Sequence, residues 1–268
     1  MIRRRLLLPA PLLTLLGLGL VAALAAPTEA AFKQAKCGTV PSGDTLAIAF
    51  DNSVAAGSLI IGTVRRASDT ATLSSVSDGV NTYSEGDPTS FFGTNTGALR
   101  ILVAWTRNAS AGARTVTMVT TTGGLLYGCV AEFDNVTDAA GDGFHTGTGT
   151  ATGGDDVTSI QAGAVVVDDL VGDDNYLLVT AIASTADIDF TPDATYTEIN
   201  TSADRLSMSY RCITNPATYN PTWTFPTATV AAWHGAWLMD SDQSAGGACN
   251  ASGQGPRRGS LGLMGVGR

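Results

Sequence analysis

Apolar residues alternate along two stretches of this chain. In LRILVAWTRNASAGARTVTM (99–118) Leu99, Ile101, Val103 and Trp105 fall on one side, and in LSMSYRCITNPATYNPTWTF (206–225) Leu206, Met208, Tyr210 and Cys212 do the same. A period of two marks a β-strand. Ser207, Ser209 and Arg211 stand between the second set, so that strand is expected to keep one wet face, as antiparallel sheets do. Residues 108–113 read as a turn and TVTMVT (115–120) as the returning strand, which together predict a hairpin; Asn215-Pro216 to Asn220-Pro221 repeats the device. Further strands are predicted over 45–50, 59–64, 70–76, 125–133, 164–167, 176–183, 196–200 and 230–239, and no helical period follows the N-terminal apolar run.

The two stretches are related by a constant offset. Leu99 and Leu206, Asn108 and Asn215, Thr115 and Thr222, and Gly128 and Gly235 are each 107 residues apart, and LLYGCVAEFD (125–134) continues the match with AWHGAWLMDS (232–241). Earlier, Ala56-Gly57-Ser58-Leu59 resembles Asp174-Asn175-Tyr176-Leu177 at an offset of 118, which places the length differences in loops before Leu99. Two copies of about a hundred residues indicate duplication of a domain or half-domain, not a solenoid.

Charged residues are only 15%, and turn signals come about every 8–12 residues, as in sandwiches and barrels. The fold class expected is therefore all-β, an antiparallel two-sheet sandwich. Two arrangements fit. In a jelly-roll-like fold the copies, 45–136 and 157–241, interleave into one sandwich spanning 45–241, which is the arrangement favoured. In tandem immunoglobulin-like domains each copy closes its own core, and the segment HTGTGTATGGDD (145–156) reads as a flexible linker that suits them.

The ends narrow the setting. Arg3, Arg4 and Arg5 precede an apolar run over 6–26 and small residues up to Ala30, the layout of a cleaved secretory signal (1–30), with Pro9, Pro11, Gly17 and Gly19 weakening a retained spanning helix. A short N-terminal segment (31–44) follows, and a Gly-rich tail (242–268) carrying Arg257 and Arg258 is expected to lack order. Cleavage leaves 12 of the 15 Lys+Arg and 23 of the 24 Asp+Glu, a formal charge of −11. Such a chain repels phosphate backbones, so nucleic acid is not an expected partner. Localisation is expected to be secreted, cell-surface or periplasmic, where disulfides persist. The four cysteines, Cys37, Cys129, Cys212 and Cys249, allow three pairings. The favoured scheme joins Cys37 to Cys249 and Cys129 to Cys212.

AAGSLIIGTV, SVSDGVNTY, ILVAWTRNASAGARTVTM and CVAEFDNV resemble a β-sandwich domain common in bacterial secreted proteins and in phage tail or virion-associated proteins. The resemblance spans residues 45–240 and its motifs are turns, hairpins and core strands. It implies a jelly-roll-like fold without an agreed activity. The export signal departs from the virion members and favours a surface role.

Catalytic patterns are thin. No HExxH, GxSxG, Walker loop or strand-to-helix GxGxxG occurs, and a Ser/His/Asp triad would need His145, at the start of the linker, or His234, inside a strand. Glycosidases need two facing carboxylates. Most acids here sit in turns, where they satisfy local donors, and Glu132 is the exception: it lies mid-strand, read as a solvent-facing sheet position. Asp187, Asp189 and Asp193 put carboxylates on one loop and are the calcium candidates, without an EF-hand pattern; no other cofactor is expected. Phe91 and Phe92 in DPTSFFGTN, Tyr219 in its turn and Trp223 are the loop aromatics that could stack on sugar rings, whereas Trp105, Trp233 and Trp237 read as core. Asn108, Asn135, Asn200 and Asn250 begin N-x-S/T sequons. The function expected is an exported, non-catalytic protein with a structural, adhesive or glycan-binding surface; the alternatives are a carbohydrate-active enzyme using Glu132 with a turn aspartate, and a virion-associated structural protein.

Overall fold

The computed structural model describes residues 31–67, 71–85, 99–134, 136, 145–147, 157–161, 165–167, 175–184, 187–199, 205–213, 217–229 and 232–241. The described residues form strands and connecting turns, with no helix among them. In the first half the strands are β1 (Ala31–Val40), β2 (Thr45–Ala49), β3 (Leu59–Arg66), β4 (Leu73–Ser77), β5 (Ser84–Glu85), β6 (Arg100–Thr106), β7 (Thr115–Thr120) and β8 (Leu126–Asp134). In the second they are β9 (His145–Gly147), β10 (Val157–Gln161), β11 (Val165–Val167), β12 (Asn175–Ser184), β13 (Thr191–Pro192), β14 (Thr197–Glu198), β15 (Leu206–Ile213), β16 (Ala217–Tyr219), β17 (Thr222–Thr229) and β18 (Ala232–Ser241).

The two halves have the same strand order. The first builds a five-stranded sheet, β1-β8-β3-β6-β5, and a three-stranded sheet, β2-β7-β4; the second builds β9-β18-β12-β15-β14 and β10-β17-β13, with β11-β16 as an extra pair. Faces match at the offsets read from the sequence. Leu59 and Ile61 of β3 point the same way as Leu177 and Val179 of β12, and Ile101 and Val103 of β6 as Met208 and Tyr210 of β15. The pairing slides slightly: Ile61 lies opposite Trp105, but Val179 lies opposite Tyr210 instead of Cys212. A slide of two residues keeps every side chain on its face, whereas one residue would turn the core outward.

Every pairing between described strands is antiparallel and stays within one half. Among the described strands the interleaving favoured from the sequence therefore does not occur. Hairpin contacts form between near neighbours, and each half has enough strands to close two sheets of its own. The first half fills the space between its sheets with Leu46, Ile48, Ile60, Val64, Leu102, Val116, Met118, Leu126 and Val130. The second does so with two smaller clusters, one around Tyr176, Leu178, Ile213 and Tyr219, the other around Ile160, Ile182, Phe190, Trp223 and Phe225. Thr180 and Ser209, cross-strand partners and both fully buried, lie on this inner face.

A third layer of core joins the halves. Leu59, Ile61, Ile101, Val103, Ala131 and Phe133 of the first large sheet pack with Leu177, Val179, Ala181, Leu206, Met208 and Tyr210 of the second. Phe133 meets Tyr210 edge-on at 5.3 Å, and Phe32 of β1 stacks on Tyr210 at 5.7 Å. Burial of a large apolar side chain contributes about 1.5–3 kcal/mol, so Leu59, Ile61, Phe133, Leu177, Val179 and Met208 together offer about 9–18 kcal/mol to the seam. The molecule is thus four layers deep, and its two large sheets are covered on both faces. This is why all eight residues of β3 are buried, and why the wet face expected for β15 is missing: Ser207 and Ser209 are buried and Arg211 is half-buried.

Two boundaries differ from the sequence reading. Residues 31–44 are not a separate segment, because β1 completes the first large sheet along the whole of β8. A bulge between Phe32 and Gln34 breaks its alternation and brings Phe32, Ala35 and Cys37 onto the seam side. At the other junction, His145–Gly147 is not linker but strand β9, paired with β18.

The cysteine pairing is also corrected. Cys37 and Cys129 face each other directly across β1 and β8, their Cα atoms 4.0 Å apart, and are joined in a disulfide. Cys129 cannot then bond Cys212, although both belong to the seam. Cys249 lies outside the described residues.

Candidate functional site

Glu132 was the acid singled out for chemistry. The alternation of β8 turns it away from the seam, and it is 1% exposed, not at the solvent face expected of it. Its burial is offset by donors: Gln34 Nε2 at 2.6 Å, the Ala55 amide at 2.8 Å and the Ser58 hydroxyl at 2.9 Å. Two residues along the strand, Asp134 receives Lys33 Nζ at 2.6 Å and lies 2.8 Å from the same Ser58 oxygen. Gln34 is held in turn by Asn52, donating to its carbonyl and accepting from its amide. Buried carboxylates need such partners, since an isolated charge in a low dielectric is costly. Here they tie β1 and the 51–58 connection to β8. Arranged this way, Glu132 has its lone pairs engaged inward and is a structural acceptor.

The aromatic candidates divide. Trp223 is fully buried, packs edge-on against Phe190, and donates its indole N–H to Thr180 Oγ1 at 3.3 Å. Tyr219 is not in a turn but in β16 opposite Val165; it is 9% exposed, with the Arg211 guanidinium 5.1 Å from its ring centre. Both readings as loop platforms are corrected, because a ring that stacks on a sugar must offer a face to solvent. Ala217–Tyr219 pairs with β11 instead, and Tyr219 joins the second half's core. Phe91 and Phe92 lie outside the described residues.

The calcium candidates do not converge. Asp187 pairs with Arg205 Nε at 2.6 Å, and that partner's donation holds its carboxyl below the usual range. Asp193 accepts from the amide and hydroxyl of Thr195, both at 2.8 Å, which lowers it likewise in a self-capped turn. Among the described residues no group of three His, Cys, Asp or Glu gathers to hold a metal. His234 lies opposite Ile182 in the β12–β18 ladder, and His145 opposite Leu238 in β9.

One further carboxylate is heavily used. Burial alone would push the Asp78 carboxyl up, but Asn81 through both amides, Val80 and the Tyr83 hydroxyl donate to it and carry it below its ordinary value. Tyr83 is correspondingly raised, by its burial and then by Asp78. The stretch SVSDGVNTY therefore ends β4 and then turns around one acid, Asp78.

The cluster that sequence reasoning missed lies at one end of the seam. Arg65 is 2% exposed. It donates Nε to the Ser184 carbonyl at 3.0 Å, linking the two halves, and Arg65 and Arg205 each place a guanidinium 5.7 Å from the Tyr127 ring centre. Desolvation first and Arg205 second lower the Arg65 pKa to about 10. The signal was present: two arginines close the otherwise apolar strand LIIGTVRR. No family model matches this chain, and neither a curated protein nor a solved structure matches it.

Proposed function

We propose that this chain is an exported, non-catalytic display protein in which each half is a jelly roll, and the two back-to-back halves form a stiff body that presents its loops for adhesion or glycan binding. The observation that carries this reading is the use made of the chemical groups. Glu132, Asp78 and Asp193 are occupied by donors of the fold itself, and Trp223 and Tyr219 fill its core. Glycoside hydrolysis of the usual kind needs a carboxylic acid whose proton can reach the substrate, and the buried Glu132 is committed elsewhere. The strand order 1-8-3-6 in one sheet against 2-7-4 in the other, repeated in both halves, supports the jelly-roll assignment. The Cys37–Cys129 disulfide is compatible with an extracellular or periplasmic setting. The test is a glycan array run beside a reducing-sugar assay on the chain beginning at Ala31. Binding without sugar release is the expected result, and release proportional to protein added would overturn it in favour of a hydrolase.

A further inference from the structure

We propose that Arg65, Tyr127 and Arg205, at one end of the seam between the halves, form a binding site for a single oxyanion, the carboxylate or sulfate group of an acidic ligand. Arg65 is 98% removed from solvent. Its Nε is satisfied by the Ser184 carbonyl, but its Nη1 is buried without a hydrogen-bond partner. A buried donor left unsatisfied costs about 1–3 kcal/mol, more for a charged group, so its retention needs a reason. The surrounding charge supplies one. Both guanidiniums stand over one tyrosine ring at 5.7 Å and are no farther apart than twice that distance. The carboxylate beside them among the described residues is Asp187, which pairs with Arg205 Nε at 2.6 Å. The end of the seam thus gathers two guanidiniums around one ring in a chain of net charge −9. A water molecule would satisfy Nη1 without offsetting two neighbouring cations; an oxyanion does both, through charge-assisted bonds to guanidinium donors. Arg205 is 25% exposed and Asp187 63%, so an anion can enter by displacing the Asp187 carboxylate, which acts as a built-in competitor.

The inference stands apart from the glycan reading above, and acidic sugars are where the two meet. The test is thermal unfolding and titration calorimetry of the chain from Ala31 with sodium sulfate and, separately, sodium glucuronate, against sodium chloride at matched ionic strength and neutral glucose. A saturable rise in Tm with either oxyanion and none with glucose is expected. Saturation matters because sulfate stabilises proteins non-specifically. Arg205→Gln should weaken binding about tenfold or more. Asp187→Asn should tighten it, a gain that a merely structural ion pair would not produce. A response equal to that of chloride, or an affinity unchanged in Arg205→Gln, would overturn the proposal. A glycan array without hits leaves it standing if sulfate binds, and array hits without any sulfate or glucuronate response refute it.

Discussion

Reducing the Cys37–Cys129 disulfide should detach β1 and lower stability substantially. The bond spans 92 residues, and the chain-entropy relation for a loop of that length gives about 4.6 kcal/mol at 25 °C. A backbone ladder to β8 and the Gln34–Glu132 bond also hold β1, and the disulfide adds to them. None of its described residues is fully buried, and its ion pairs, Lys33 with Asp134 and Lys36 with Asp51, involve lysines 46% exposed, where such pairs contribute about 0–1 kcal/mol. At roughly 2–4 °C per kcal/mol for a domain of this size, the Cys37→Ala, Cys129→Ala double variant should lower Tm by about 9–18 °C. Hydrogen exchange should show protection lost along β1 while β3 and β6, buried on both faces, keep theirs. Non-reducing peptide mapping should join Cys37 to Cys129, which leaves Cys249 as the remaining partner for Cys212. Identical melting of oxidised and reduced protein, or a mapped Cys129–Cys212 peptide, would refute the argument.

Other perturbations follow from the same contacts. Glu132→Gln should cost about 1–3 kcal/mol in chemical denaturation, because an amide donor would then face Gln34, Ala55 or Ser58; an unchanged midpoint would mean the network is idle. Trp223→Phe keeps most of the buried volume but abandons the bond to Thr180, at a cost of about 1 kcal/mol, while Trp223→Ala should cost about 3–5 kcal/mol, with glycan affinity unchanged in whatever fraction stays folded. Gly128→Ala should destabilise strongly, since a Cβ there would meet Leu46 at 2.5 Å and the Thr63 carbonyl at 2.9 Å; a melting point equal to wild type would show that the sheets can separate. Asp78→Asn should lower stability at neutral pH. The folded carboxyl is depressed below its ordinary value, so its contribution is present above about pH 4 and fades as pH falls through the folded pKa; the gap between variant and parent should close in acid, and a gap constant with pH would contradict the donor assignment.

Much of the strand content was legible because alternation is local. The period-two runs around Ile101 and Met208 predicted β6 and β15, and TVTMVT predicted β7. The offsets of 107 and 118 anticipated which residues of the two halves share a face. Even the paired glycine of β8 was visible, though its reason, the approach of Leu46 from the opposite sheet, was not. Where alternation is interrupted the reading failed: the bulge after Phe32 hid β1, and the two prolines around Tyr219 disguised β16 as a turn.

The sequence by itself determined that the chain is all-β, that it says nearly the same thing twice, and which side chains along each strand act together, since these follow from backbone geometry over a few residues. Only the tertiary structure decided that the copies close separate cores and then press their large sheets together. That stacking covers one face of each large sheet while the half's own small sheet covers the other, where Ser209 and Glu132 lie buried instead of at the surface a single sheet would give them, and it brings Arg205 to Tyr127 and its cross-strand partner Arg65. Which cysteine meets Cys129 was likewise a matter of strand register across 92 residues, because a covalent bond requires proximity in space and composition carries no record of it.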